Sequence, residues 1–171
     1  MIIRQGEPGD VAAVIAMFDS AIEWLVSQGR TGQWGSEPFS ASAKRVEMVN
    51  GWADGKGMRI AEIDGEPAGC MTLGEPVAYV AAAPEPEVYV QGLVIDQRFH
   101  GRAVGRALLE RAVSEAAEQG VDLVRVDCYA GDDGRLVRYY ESCGFRRTEE
   151  FKVGEWPGQV LERRVSAGTA G

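Results

Sequence analysis

Apolar side chains first fall into a helical rhythm at Val11, Ile15, Phe18, Ile22 and Leu25, spaced four and three apart. That spacing predicts an amphipathic helix, with Asp10 placed to cap its start and Gly29 to end it. Ahead of it Ile2–Gln5 reads as a short strand closed by Gly6, Pro8 and Gly9. Residues 30–39 (RTGQWGSEPF) have no period and predict a loop carrying Trp34; a weaker helix is expected over residues 41–52. Two strands, Met58–Ile63 and residues 67–73, flank Asp64-Gly65, a dipeptide favoured where both central turn residues need positive φ. After a Pro-interrupted connector at residues 81–86, the β-branched run Val88–Ile95 predicts a buried strand with Gly92 as a candidate bulge.

A second strong helix, residues 104–119, sets Val104, Leu108, Leu109, Ala112, Val113 and Ala116 on one face before Gly120 stops it. Residues 123–128 predict the next strand and Arg135–Ser142 a short helix. Residues 151–153 and 160–165 predict a final hairpin turning at Trp156-Pro157-Gly158. The elements run β-α-α-β-β-β-α-β-α-β-β, one α/β domain over residues 1–165 with a mixed sheet. The small polar tail at 166–171 is expected to fray.

Composition narrows the chemistry. At 171 residues and 45% hydrophobic, the chain can build one core without disulfide or metal. Its 26 acidic residues outnumber 18 basic ones, giving a formal net charge of -8. This disfavours nucleic acid, whose partners present a basic face, and suits a cationic small molecule. Three cysteines without a C-x-x-C pair, and one histidine, argue against a metal site and against a disulfide framework. A reducing, cytoplasmic setting follows as an expectation. The first residues lack the charged lead-in and apolar core of a signal peptide. No apolar run approaches the roughly 18 residues of a membrane span, so no membrane association is expected.

The chemistry concentrates in residues 93–109, LVIDQRFHGRAVGRALL. A buried strand there leads through a turn containing Gly101, Ala103 and Gly105 into the amphipathic helix. Small residues leave backbone N–H groups unshielded at a helix start, which carries about half a positive charge and binds phosphate oxygens. Arg98, Arg102 and Arg106 add three guanidiniums, with no carboxylate between Gln97 and Leu109. The spacing satisfies neither the Walker A loop nor the G-x-G-x-x-G dinucleotide turn.

Arg98-Phe99-His100-Gly101-Arg102-Ala103 resembles the [QR]-x-x-G-x-[GA] hallmark of the GCN5-related N-acetyltransferases, and Val104-Gly105 followed by Leu108-Leu109 continues in the same style. A second block supports the resemblance. Where the family commonly carries Asn, then Tyr seven residues on, then Gly-Phe, this chain has Asp133, Tyr140 and Gly144-Phe145. Asp133 departs from the usual Asn.

The resemblance implies a mixed, mostly antiparallel sheet with splayed central strands flanked by helices. It implies an acetyl-CoA-dependent N-acetyltransferase working by direct transfer to the primary amine of a small, cationic molecule. The alternatives it leaves are a protein or peptide acceptor and a non-catalytic acyl-CoA-binding module; dimers are frequent in the family. By this analogy the backbone of Leu93, Val94 and Ile95 pairs with the pantetheine arm. The turn from Gly101 through Arg102, Ala103, Val104 and Gly105 to Arg106 cradles the pyrophosphate, with Arg98 and Asp133 as further cofactor contacts. Tyr140 matches the acid that protonates the departing thiolate. Glu87 stands fourteen residues before Gly101, where histone-type members place a base; Tyr89 or Gln91 could instead hold a water that relays the proton. Trp24 and Trp34 are the expected aromatic walls of the acceptor pocket.

Overall fold

Val14, Met17, Phe18 and Ile22 are buried along one stripe of the first helix, α1 (Val11–Ser27). Their cluster also takes in Phe39, Val49 and Ala53 from the second helix and its approach, and Met58, Ile60, Cys70 and Val94 from the strands. Each of its Val, Ile, Met and Phe side chains contributes about 1.5–3 kcal/mol by leaving water. Phe18 and Phe39 stack at 4.1 Å. The cluster is the core of one compact unit, Met1–Leu73 with Gly92–Leu108. It holds β1 (Ile2–Gln5), α1, α2 (Ala43–Asp54), β2 (Met58–Ile63) and nearly all of β3 (Glu66–Gly74). In this computed structural model residues 1–168 are described.

Within that unit β1 pairs with β2, and β2 with β3, both antiparallel. The β2–β3 turn matches the Asp-Gly expectation, with Asp64 at φ 51 and Gly65 at φ 80. The start of α1 differs from it. Asp10 makes no side-chain cap for α1. Its carboxylate accepts from both terminal nitrogens of Arg4 (2.9 and 2.8 Å) and from the Glu7 N–H (2.8 Å), closing a 3-10 turn over Pro8–Asp10. The second helix runs two residues beyond its expected end. Ser42 caps it through a bond from the Arg45 N–H, 3.2 Å. A Cβ on Gly92 would lie 2.7 Å from the Trp52 ring, which explains the glycine.

The other unit comprises Gly74–Gln91 and the chain from Leu109 on. β4 (Val88–Ile95) begins here and ends in the first unit, and α3 (Val104–Glu118) is likewise divided. β4 pairs in parallel with β5 (Leu123–Tyr129), over Val88–Val90 against Val124–Val126. β5 pairs antiparallel with β7 (Trp156–Arg164), and β7 with β6 (Arg146–Val153). α4 (Arg135–Ser142) packs on β5 and β6. The fold is thus mixed α/β with seven strands, mostly antiparallel.

The last hairpin is longer than expected and turns elsewhere. Its turn lies at Gly154, φ 60, while Pro157 and Gly158 sit inside β7. β6 (RRTEEFKV) is almost entirely exposed and carries a register shift between Arg147 and Glu150, so no apolar alternation marked it. Val165–Gly168 forms a helical turn in the expected tail, tied down by the Ser166 N–H donating to Asp122 Oδ1 at 2.8 Å. Residues 169–171 of that tail lie outside the described residues.

Candidate active site

In the first unit the candidate anion-binding turn is built by backbone geometry. Phe99 and His100 close a 3-10 turn onto Asp96 and Gln97, and Gly101 follows at φ 80. Ala103 takes φ 59, a left-handed value that costs a residue with a Cβ of order 1 kcal/mol. These reversals aim α3 so that its first rung is Ala107 N–H to Ala103 O, 3.1 Å. The N–H groups of Val104, Gly105 and Arg106 lie ahead of that ladder, with no backbone acceptor among the described residues. A Cβ on Gly101 would meet nothing within 4 Å, so open ground lies beside the turn.

Of the three arginines, Arg98 is bound to Asp96 through Nε and a terminal nitrogen (both 3.2 Å), and its N–H also donates to that carboxylate. Arg102 and Arg106 are exposed, and their side chains form no ion pair with the described residues. Free N–H groups, two unpaired guanidiniums and a glycine opening are the donor set a diphosphate needs, so the turn fits that part of acetyl-CoA. On β4, Val94 is buried in the core, while Leu93 and Ile95 are half-buried. The Asp96 N–H donates to Ala68 O, tying the strand's end to β3.

The two tryptophans expected as pocket walls are packed as well. Trp34 meets Phe18 edge-on at 5.3 Å, and its carbonyl accepts from Arg45. Trp24 stacks on exposed His100 at 6.1 Å.

In the other unit, alternation along β5 separates two sets of side chains. Val124, Val126 and Cys128 share one face; Arg125, Asp127 and Tyr129 share the other. Tyr140 of α4 is only 5% exposed. Burial, then the neighbouring Cys128, Tyr139 and Asp127, push its hydroxyl well above the usual tyrosine range. That hydroxyl has no hydrogen-bond partner among the described residues. No buried polar side-chain atom among them is left without one, so the oxygen is not fully enclosed. A protonated, unpaired hydroxyl is ready to donate. Burial also pushes the Cys128 thiol up to about 12, which makes it a poor nucleophile.

Glu87, expected as a base, is engaged elsewhere. Its Oε1 accepts from Arg125 Nε (2.6 Å), and Oε2 from an Arg125 terminal nitrogen (2.9 Å) and the Ala83 N–H (2.7 Å). Both side chains of the pair are 7% exposed. With both oxygens taken, Glu87 organises the connector and holds Arg125. Gln91 donates to Glu75 O at 2.7 Å. Asp133 stands at φ 59 in a run of three left-handed residues, Asp132 to Gly134, and its carbonyl accepts from Arg138. Aspartate tolerates that backbone as asparagine does.

Tyr89 is fully buried, and its hydroxyl donates to Asp127 Oδ2 at 2.5 Å. Tyr79, half exposed, reaches Oδ1 at 3.5 Å. Burial raises Asp127 above the ordinary carboxylate range, against the lowering effect of the two tyrosines. Sequence reading missed this carboxylate. Its signal is a lone acid in the otherwise apolar end of the strand VRVDCY.

A sequence profile of the acetyltransferase (GNAT) family matches residues 19–145. The mycothiol acetyltransferase of Propionibacterium freudenreichii subsp. shermanii is 35% identical over 110 residues, covering 63% of this chain and 33% of that protein. The chain spans about a third of the length of the curated relatives it matches. Among solved structures, an acetyltransferase of the GNAT family from Listeria monocytogenes is similar at TM-score 0.73 and 21% identity, covering 95% of this chain and 94% of that one. The Salmonella typhimurium protein yncA, solved with its cofactor acetyl-CoA, is similar at TM-score 0.67 and 18% identity, covering 96% and 94%. At such identities the structural likeness is one of fold.

Proposed function

The chain belongs to the acetyltransferase (GNAT) family, and from that premise we propose that it moves an acetyl group from acetyl-CoA to the primary amine of a small molecule. The observation that carries this reading is the start of α3, where unbonded N–H groups of Val104, Gly105 and Arg106 lie with unpaired Arg102 and Arg106. When bound there, acetyl-CoA supplies an acetyl thioester, whose C–S bond breaks as the N–C bond forms. The turn holds the diphosphate by charge and by aligned N–H dipoles. Leu93, Val94 and Ile95 offer backbone groups to the pantetheine arm.

Tyr140 Oη gives its proton to the departing sulfur, and the proton shed by the acetylated nitrogen restores the tyrosine. Burial keeps that proton in place at any working pH, which suits an acid. Cys128, with its thiol held protonated, takes no part in the transfer. A small acceptor is favoured over a protein because the curated relatives take their name from a small molecule, mycothiol. A cationic acceptor is favoured by the net charge of -8.

Calorimetry with acetyl-CoA, followed by thiol release over a panel of polyamines, amino sugars, amino acids and short peptides, tests the reading. Binding with thiol release on small amines is expected. Release on peptides alone transfers the acceptor to proteins, and binding without release on any amine makes the chain a sensor. Absence of acetyl-CoA binding ends the proposal.

A further inference from the structure

We propose that Asp127 receives the acceptor amine as a cation against a wall of aromatic rings and takes one proton from it. This rests on the acetyl-transfer reading above and adds the group that makes the nucleophile neutral. An alkyl amine arrives as an ammonium, because its pKa lies near that of lysine, about 10.4. It attacks only after losing a proton. The ammonium N–H bond breaks and an O–H bond forms on Asp127 Oδ1, leaving a neutral amine and a neutral carboxyl; the proton then passes to water.

Three observations converge on this carboxylate. Its two oxygens are unequal. Oδ2 is held by the fully buried Tyr89 at 2.5 Å, while among the described residues Oδ1 meets only Tyr79, at the 3.5 Å limit of a hydrogen bond. One arm is therefore oriented and the other presented, unlike Glu87, whose oxygens are both bound. Tyr89 reaches it because the parallel register sets Tyr89 beside Arg125, two residues before Asp127 on the same face of β5. Tyr89 is a positioning residue.

Second, an unbroken line of rings runs past this carboxylate. Tyr79 lies 5.2 Å from Phe151, Phe151 6.2 Å from Trp156, and Trp156 5.4 Å from Tyr129, which shares Asp127's face. Gly158 accommodates the wall, since a Cβ there would lie 2.2 Å from the Phe151 ring. Aromatic faces attract a desolvated cation. Third, burial shifts Asp127 upward, towards the ammonium it must deprotonate.

The groups bearing on its titration are Tyr89 from β4 and Tyr79 from the connector, with the titratable Cys128 of β5 and Tyr140 of α4 close enough to feel its charge; Arg125 of β5 acts on Tyr89. Glu149 of β6 acts through Arg125, at 3.8 Å, and β7 sets apolar Val160 opposite.

The test uses the full chain, with Asp127→Asn and Tyr89→Phe beside the wild type. Asp127→Asn should bind acetyl-CoA as the wild type does, yet lose about 100-fold or more in kcat/KM for amines and lose the acid limb of the pH profile. In the cofactor-free chain, carbon NMR of the Asp127 carboxyl should show a midpoint above the ordinary aspartate value near 3.9. Tyr89→Phe should move it higher still by removing a bond that stabilises the anion. Wild-type turnover with an unchanged pH profile in Asp127→Asn overturns this proposal and leaves the acetyltransferase reading standing. So does an ordinary midpoint indifferent to Tyr89→Phe. Failure of the wild type to bind acetyl-CoA removes the broader reading, and this one falls with it.

Discussion

Tyr140→Phe deletes one oxygen from a side chain that is 5% exposed and whose hydroxyl bonds to no described residue. No hydrogen bond is lost on that change, so stability should hold within about 0.5 kcal/mol, while turnover falls about 100-fold at unchanged acetyl-CoA affinity. Chemical denaturation and calorimetry beside steady-state rates check the split. Glu87→Gln is expected to behave in the opposite way. It leaves the Arg125 guanidinium buried without its counter-charge, and breaking such a pair costs about 3–5 kcal/mol. The measurement is the urea midpoint. A variant as stable as the wild type but slow in turnover would return Glu87 to the chemistry.

At the scale of elements, the start of α3 depends on β3 coming close. A Cβ on Gly69 would lie 2.7 Å from Val104 Cγ1, 3.0 Å from Ile95 Cδ1 and 3.2 Å from Val94 O. Gly69→Ala should therefore push the turn aside, weakening acetyl-CoA binding about tenfold and costing about 1–3 kcal/mol; calorimetry and thermal unfolding read the two effects. Elements with a buried stripe were legible in the sequence: α1, α3, β4 and the Asp64-Gly65 hairpin stand where their periods placed them. β6 was not, because an exposed edge strand with a register shift leaves no apolar alternation. The candidate anion turn could be proposed from sequence because its donors stand in consecutive residues. Asp127 was not, since its meaning depends on Tyr89 and Tyr79, 38 and 48 residues away. The Glu87–Arg125 pair was hidden for the same reason, as Arg125 lies 38 residues on.

For the whole molecule, acid and base sensitivity come from two aspartates of opposite habit. The Arg4 guanidinium holds Asp10 below its ordinary value, so its contribution is complete above the unfolded pKa near 3.9 and is lost as pH falls through the folded one. Burial holds Asp127 above its ordinary value, so its contribution is complete below the unfolded pKa and is lost as pH rises through the folded one. Urea unfolding across the acid range should show Asp10→Asn with a shallower acid decline, and Asp127→Asn at least as stable as the wild type at neutral pH. A steeper decline in the first, or a clear loss in the second, contradicts these assignments. The three cysteines, all buried and unpaired, carry a last implication. Cys70 and Cys128, with thiols up to about 12, are close to inert towards alkylating reagents while the chain stays folded. One of them sits in each unit, so the labelling rate of each sulfur becomes a clock, timing how often its own half of the protein opens.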